Sequence, residues 1–188
     1  MNTRHPNLLD RNTTLLIIID MQEPFLSVIH ERVRLTENVQ LLAQAAAVLN
    51  IPVLSTVQYA ERMGGIVPEI AEVLPQNAPK PVDKLDFSCA RSEEFMAQVM
   101  ATGRRQILLC GVETHICVSQ TALDLVHHGY QVHVAVDAVS SRTLEKHKLG
   151  MERMRDNAVL PCAAESAVYE LLGAAGSPEF KSILKLVK

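Results

Sequence analysis

Cys117 is the residue whose type and position most favour nucleophilic chemistry. It comes two residues after His115 and follows an apolar run that ends at Val112. This pattern predicts a strand, a short loop and then a helix that begins near Ile116. At the start of that helix, the dipole and the free N–H groups would favour a thiolate and would bind an oxyanion. The alternative is an inert side chain, since free cysteines are commonly buried as small apolar residues.

Asp20 and Lys84 are candidate partners of this thiol. Asp20 ends the aliphatic run Leu15–Ile19, so it is either a general base at a strand end or a cap of the following turn. Lys84 has aspartates close by in sequence, which is typical of a solvated surface charge, and its case depends on the other two residues. His115 is nearer to Cys117 in sequence, but side chains two residues apart at a helix start diverge.

Apolar runs alternate with amphipathic segments along the chain, which predicts strands that alternate with helices. This order is typical of an α/β fold: a three-layer sandwich with a mostly parallel, six-stranded Rossmann-like sheet and helices on both faces. Because ligands bind beyond the carboxyl ends of such strands, the candidate residues would meet at one edge of the sheet. The predicted strands cover residues 15–19, 51–57, 81–85, 106–112, 131–137 and 158–160, and the predicted helices cover residues 36–49, 92–100, 116–128, 144–155, 165–172 and 178–187.

Length and composition predict one globular domain over residues 1–188. The net charge is −3 and no run of Lys and Arg occurs, so nucleic acid is not an expected partner. No apolar stretch approaches the ~20 residues of a membrane helix, so no membrane partner is expected. The four cysteines lack the spacing of a zinc site, which predicts reduced thiols, a cytoplasmic location and no cofactor.

Three motifs together resemble those of the isochorismatase-like cysteine hydrolases, the superfamily that includes nicotinamidases. They are the strand that closes in Asp20–Gln22 with Phe25 after it, the segment Lys84–Ser88, and the segment Gly111–Val118. The resemblance covers the chain from about Thr13 to its end. It is closest to the isochorismatase-domain proteins of unassigned substrate.

The resemblance implies a catalytic triad of Asp20, Lys84 and Cys117. It also implies a cis peptide bond between Val112 and Glu113, and an oxyanion hole formed by the backbone amides of Glu113 and Cys117. Family members commonly form homo-oligomers, so a dimer or tetramer is expected. The apolar side chains of the last helix, around residues 180–184, are predicted to provide an interface.

A substrate pocket and the lack of a metal follow from the same resemblance. Nicotinamidases carry an Asp-x-His-x-x-His metal motif after the second strand, whereas here residues 57–63 contain no histidine. No zinc or iron site is therefore predicted. The residues expected to shape the pocket are Gln22, Phe25, Gln58, Tyr59 and Phe87.

The predicted function is hydrolysis of a small amide or related compound through a thioester on Cys117. Three alternatives remain open from the sequence. The first is a catalytically idle family member that binds or scaffolds, and the second is an isochorismatase-type hydrolase of a vinyl ether. The third is a redox-responsive protein that uses a Cys117 thiol of low pKa.

Overall fold

A six-stranded sheet in the order β3-β2-β1-β4-β5-β6 forms the centre of the molecule. All its strand pairs are parallel in the computed structural model, which describes residues 4–188. The α/β class is thus confirmed, and the sheet predicted as mostly parallel is parallel throughout its described length. The strands are β1 Thr14–Ile19, β2 Val53–Gln58, β3 Val82–Lys84, β4 Gln106–Val112, β5 Gln131–Ser140 and β6 Leu160–Cys162.

The strand order reverses between β1 and β4, and this reversal fixes where a site can form. The connections from β1 run to one side of the sheet and those from β4 to the other, which leaves a crevice outside their carboxyl ends. Asp20 follows β1 directly, and Glu113 follows β4 directly. The crevice therefore lies between these two residues.

Helices cover both faces of the sheet. Alternate residues of β1 point to opposite faces, so Leu16 and Ile18 join one apolar cluster while Leu15 and Ile17 join the other. The first cluster packs α2, α4, α8 and α9, and the second packs α5, α6 and α7. The helices are α1 Glu23–Leu26, α2 Arg32–Leu49, α3 Ala60–Met63, α4 Pro68–Ala71, α5 Glu93–Ala101, α6 Ser119–His127, α7 Leu144–Arg155, α8 Ala164–Leu172 and α9 Phe180–Leu186.

The last helix does not present the free apolar face that the sequence predicts. Ile183 is fully buried, and Phe180, Leu186 and Val187 pack against the cluster formed with α2 and α8. The chain's own helices cover this face, so the proposed basis for an oligomer interface there is wrong. Within residues 4–188, no helix has both the length and the apolar composition needed to cross a membrane.

Candidate active site

Asp20 is held at the carboxyl end of β1 by an ion pair and a hydroxyl. The Lys84 ammonium donates to one carboxylate oxygen at 2.8 Å, and the Thr56 hydroxyl donates to the other at 2.7 Å. The Asp20 backbone has φ of 51°, a left-handed conformation that aspartate tolerates better than most residues. Both side chains of the ion pair are 1% exposed. The pair is therefore part of the interior rather than of the surface.

Lys84 uses all the hydrogen-bonding capacity of its ammonium group inside the protein. Its Nζ donates to Asp20, to the Gln58 side-chain oxygen at 2.6 Å and to the Asp86 carbonyl at 3.3 Å, and an ammonium has three protons to donate. Burial lowers the pKa of Lys84, but the charge of Asp20 and the nearby thiols outweigh burial and raise it. Lys84 is thus a fixed positive charge beneath the site.

Cys117 lies in a single wide turn, Thr114–Val118, that leads into α6. Burial and the neighbouring Asp20 carboxylate raise the pKa of the Cys117 thiol, and Lys84 only partly offsets them. This direction is opposite to the one expected from the helix start alone, where the dipole favours a thiolate. A thiol beside a carboxylate can pass its proton to that carboxylate as the sulfur attacks.

A second thiol, Cys89, lies behind the ion pair. Its sulfur is 3.7 Å from the Thr56 hydroxyl, and its backbone N–H donates to Thr121 at 2.9 Å. The residue is fully buried, and burial raises the pKa of its thiol to about 11. Cys89 is thus an inert packing residue, whereas Cys117 borders a cleft.

The segment between β4 and the Cys117 turn carries the expected backbone geometry. The peptide bond between Val112 and Glu113 is cis. The Glu113 carboxylate accepts from the Arg142 backbone N–H at 3.2 Å and from its Nε at 3.1 Å. Gly111, with φ of 111°, leaves no space for a Cβ because the Ile19 backbone lies directly against it. Only glycine allows β4 to approach β1 this closely just before the site.

Contacts from α7 and from the end of β5 fix the Cys117 turn. The Thr114 hydroxyl lies 3.1 Å from the His147 ring, and the His115 ring lies 2.9 Å from the Ser141 hydroxyl. A Cβ on Gly150 would lie 2.9 Å from the backbone of His115, so α7 packs directly on the turn. His115 therefore bonds to Ser141 and has a structural role at the turn.

A cleft opens over Asp20 and Cys117 and encloses about 300 Å³ of empty space, part of it open to solvent. Gln22 and Tyr59, both predicted to shape the pocket, are not among its walls. The Gln22 amide instead clamps the end of β2, where it donates to the Gln58 carbonyl and accepts from the Gln58 N–H at 2.7 Å. The side chains and backbone that line the cleft belong to Asp20, Phe25, Gln58, Phe87, Val112, Glu113, Ile116 and Cys117.

A larger and more open hollow lies at the opposite edge of the sheet. It is bordered by Asn50, Pro52 and Arg104, which precede β2 and β4, and none of its lining residues is Asp, Glu, Cys or His. We therefore assign the chemistry to the smaller cleft. Nowhere in residues 4–188 are three His, Cys, Asp or Glu side chains grouped as metal ligands.

Thr56 and Ile116 belong to the site and escaped the sequence analysis. Thr56 carries the second hydrogen bond to Asp20, and Ile116 lines the cleft. For Thr56 a signal existed: the strand predicted over residues 51–57 contains the polar residues Ser55 and Thr56 near its carboxyl end, and both are buried. For Ile116 no signal distinguishes a cleft wall from a core residue.

Known proteins resemble this chain in both sequence and fold. A family model described as "Isochorismatase domain" matches residues 14–166. The chain is 41% identical over 180 residues to the secreted isochorismatase effector Isc1 of Phytophthora sojae, which covers 94% of this chain and 85% of that protein.

Two solved structures superpose on almost the whole molecule. The MAR1 ribonuclease of Caenorhabditis elegans matches with a TM-score of 0.90 and 32% identity, over 96% of this chain and 92% of that chain. YcaC from Pseudomonas aeruginosa was solved with hexane-2,5-diol and covalent acrylamide. It matches with a TM-score of 0.89 and 26% identity, over 98% of this chain and 93% of that chain.

Proposed function

Because the chain belongs to the isochorismatase-domain family, we propose that it is a cysteine hydrolase that cleaves a small amide or a related compound. The observation that carries the proposal is one arrangement at the carboxyl edge of the sheet. There the buried Asp20–Lys84 pair underlies a cleft that also contains the Cys117 thiol. In the proposed mechanism Cys117 is the nucleophile, Asp20 the general base and Lys84 the positive charge that stabilises both.

Attack begins with the Cys117 thiol and the Asp20 carboxylate. The sulfur forms a bond to the substrate carbonyl carbon while its proton passes to Asp20. Lys84 keeps its positive charge throughout, which favours the ionised carboxylate before the step and offsets negative charge on the sulfur. This order fits a thiol whose pKa is raised by burial and by Asp20.

The tetrahedral intermediate then collapses to a thioester. The backbone amides of Glu113 and Cys117 bind the oxyanion, and a donor of this kind is typically worth ~3–4 kcal/mol. The C–N bond breaks as Asp20 returns the proton to the leaving amine. Water next attacks the thioester, Asp20 accepts the water's proton, the C–S bond breaks, and the thiol regains its proton as the acid leaves.

The YcaC structure adds chemical support. Acrylamide becomes covalently attached to proteins by addition of a nucleophile, and that structure is described with covalent acrylamide. A related fold therefore presents a nucleophile to a small uncharged amide. A cytoplasmic location stays a prediction for this chain, since the name of one relative includes the word secreted.

We do not extend the ribonuclease activity named for the C. elegans relative to this chain. A phosphodiester brings negative charge, whereas this chain has a net charge of −3. The described residues that line the cleft include Asp20 and Glu113 but no lysine, arginine or histidine to bind a phosphate. An uncharged amide fits these surroundings better than a nucleic acid.

A screen of small amides against the wild type and Cys117→Ala tests the proposal. We expect turnover by the wild type alone, and an acyl adduct on the Cys117 peptide by mass spectrometry when the reaction is quenched early. Cys162→Ala removes a partly exposed thiol elsewhere and should behave like the wild type. Equal turnover by Cys117→Ala and the wild type would exclude the cysteine mechanism.

A further inference from the structure

The charge lining the cleft constrains which substrates can enter. Asp20 and Glu113 are the only ionisable acids or bases besides the Cys117 thiol among the residues that line it, and both are acidic. A carboxylate or phosphate on the substrate would enter a small, partly desolvated space whose described lining includes no lysine, arginine or histidine and whose two carboxylates are each paired with a cation outside the lining. Burial of such a group is unfavourable unless a cation pairs with it.

The two cations nearest to these carboxylates are already engaged. Lys84 lies beneath the cleft, 1% exposed, with Asp20, Gln58 and Asp86 as its acceptors. Arg142 is bound to Glu113 through its backbone N–H and its Nε. Lys84 has no proton left to donate to a substrate, and the charge of Arg142, which is not among the described residues that line the cleft, is already paired with the Glu113 carboxylate.

The remaining walls are mainly apolar. Phe25 and Phe87 come from the segments after β1 and β3, and Val112 and Ile116 flank the cis peptide and the Cys117 turn. Gln58 is the one neutral polar side chain among the walls, and its amide is bound to Lys84 and to the Leu85 carbonyl. The walls therefore favour an apolar substituent next to the reacting carbonyl.

We propose that the substrate is a small, uncharged amide with an apolar acyl group, and that the cleft rejects molecules bearing a carboxylate or phosphate. The inference deepens the proposed function and rests on it for the reacting bond. On this inference an isochorismatase-type reaction is not expected of this chain, since isochorismate carries two carboxylates. The charge argument itself does not depend on which bond is broken.

Iodoacetamide and iodoacetate test the charge rule directly. They are nearly the same size and differ in charge, and both need the same thiolate, so the ionisation of Cys117 cancels in the ratio of their rates. The ratio for Cys117, followed by peptide mass mapping, is divided by the ratio for 2-mercaptoethanol. We expect this normalised preference for iodoacetamide to be about tenfold or more. A normalised ratio near one would overturn the inference.

A charge placed on the cleft wall provides the matched test. Phe87 is 57% exposed, so Phe87→Lys adds a cation at the wall with little cost in packing. It should raise the iodoacetate rate by on the order of threefold or more. Met100 is 63% exposed and lies on α5, so Met100→Lys adds the same charge elsewhere and should leave the ratio unchanged. Equal effects of the two variants would contradict the rule.

A binding experiment separates this inference from the proposed function. 4-Methylpentanamide and succinamate share the amide and the two methylene groups next to it, but the first ends in an isopropyl group and the second in a carboxylate of similar size. On Cys117→Ala, titration by NMR should show binding of 4-methylpentanamide and at least about tenfold weaker binding of succinamate. If Cys117 proves not to be the nucleophile, this preference still supports the substrate class. Equal binding, tighter binding of succinamate or no binding of either would reject it.

Discussion

Among single residues, Lys84 is the one whose replacement has the most clearly expected effect on the free energy of unfolding. Its ammonium lies with Asp20 in a pair that is 1% exposed on each side. Removing one partner of such a pair leaves an uncompensated buried charge and typically costs ~3–5 kcal/mol. We expect Lys84→Met to lower the free energy of unfolding in urea by about 3 kcal/mol.

The double variant is the control for this prediction. In Asp20→Asn/Lys84→Met, no buried charge is left without a partner. Its loss of stability should therefore be smaller than the sum of the two single losses. Additive losses would mean that the two groups do not interact, whatever the distance between them.

Asp20 and Lys84 should change the reactivity of Cys117 in opposite directions. Asp20 raises the pKa of the Cys117 thiol and Lys84 lowers it. Asp20→Asn should therefore increase the thiolate fraction at pH 7 and speed alkylation by iodoacetamide, whereas Lys84→Met should slow it by about tenfold. Turnover of an amide should fall by about a hundredfold or more in Asp20→Asn, since the general base is gone.

The two readouts are measured as alkylation rate against pH and as amide turnover on the same preparations. A purely electrostatic role for Asp20 predicts that faster alkylation is accompanied by retained turnover. Slower alkylation in Asp20→Asn would contradict the direction of the pKa shift. Leu85→Met, at an exposed position outside the cleft walls, should change neither readout.

The sequence was informative about the candidate site residues and less so about their surroundings. A carboxylate after five aliphatic residues does not fit simple packing, whereas Cys117 after β4 became a candidate through its place at a helix start and through the motif around it. The protonation of Cys117 could not be predicted, since it depends on burial and on a carboxylate from another strand. The resemblance predicted Gln22 on the pocket wall, whereas its side chain clamps the end of β2 through contacts that the sequence does not reveal.

Among the elements, α7 packs against the Cys117 turn through Gly150. Alanine in an exposed helix interior is normally favourable relative to glycine by ~1 kcal/mol. Here the new Cβ would lie 2.9 Å from the backbone of His115 and must displace the turn that carries Cys117. Gly150→Ala should reduce kcat by about tenfold or more, because small misplacements of reacting groups are costly.

The comparison for Gly150→Ala is Glu152→Ala on the same helix. Glu152 is exposed, so its replacement should leave both kcat and the unfolding midpoint near the wild-type values. If Gly150→Ala and Glu152→Ala have the same kcat, α7 does not determine the position of the turn. Measuring alkylation of Cys117 in both variants shows whether the thiol itself has moved.

Strand β5 contains a buried histidine that makes the fold sensitive to acid. Burial lowers the pKa of His133 from 6.5 to about 4, and its Nε2 lacks a partner within the described residues. The neutral ring is favoured in the fold, so this contribution is fully present above pH 6.5 and is lost as pH falls toward 4. We expect it to be about 2–3 kcal/mol over that interval.

Urea unfolding of the wild type and His133→Leu at pH 6.5 and pH 4 measures this contribution. Between pH 6.5 and pH 4, His133→Leu should lose about 2–3 kcal/mol less free energy of unfolding than the wild type. His128→Leu, at an exposed position, should lose as much as the wild type. Parallel losses in wild type and His133→Leu would show that the buried ring does not titrate in this range.

Long elements were predictable, and short or irregular ones were not. Strands β1 and β4 and helix α7 match their apolar patterns closely. Helices α1, α3 and α4 have four residues each, about one turn, too short for a hydrophobic period to show. The last strand was predicted at residues 158–160 but begins at Leu160, because Ala158 has a left-handed φ of 64° that cannot continue into a strand.

For the whole molecule, we still expect a homo-oligomer, a dimer or tetramer, although not through α9. Several large apolar side chains remain exposed after the carboxyl ends of the strands. They include Val28 and Val33 near α1 and α2, and Leu85 after β3. Light scattering at micromolar concentration should give a mass of at least two chains, and a single-chain mass would contradict the expectation.

The two edges of the sheet bear on how copies of this protein can meet. β3 and β6 are its outermost strands, each has three residues, and β6 contains Pro161, which has no N–H to donate. An added strand from another chain would find few backbone groups to pair with on either side. Edge-to-edge pairing of sheets, and fibril growth by that route, are therefore disfavoured, and self-association is expected to use side chains rather than a continued β-ladder.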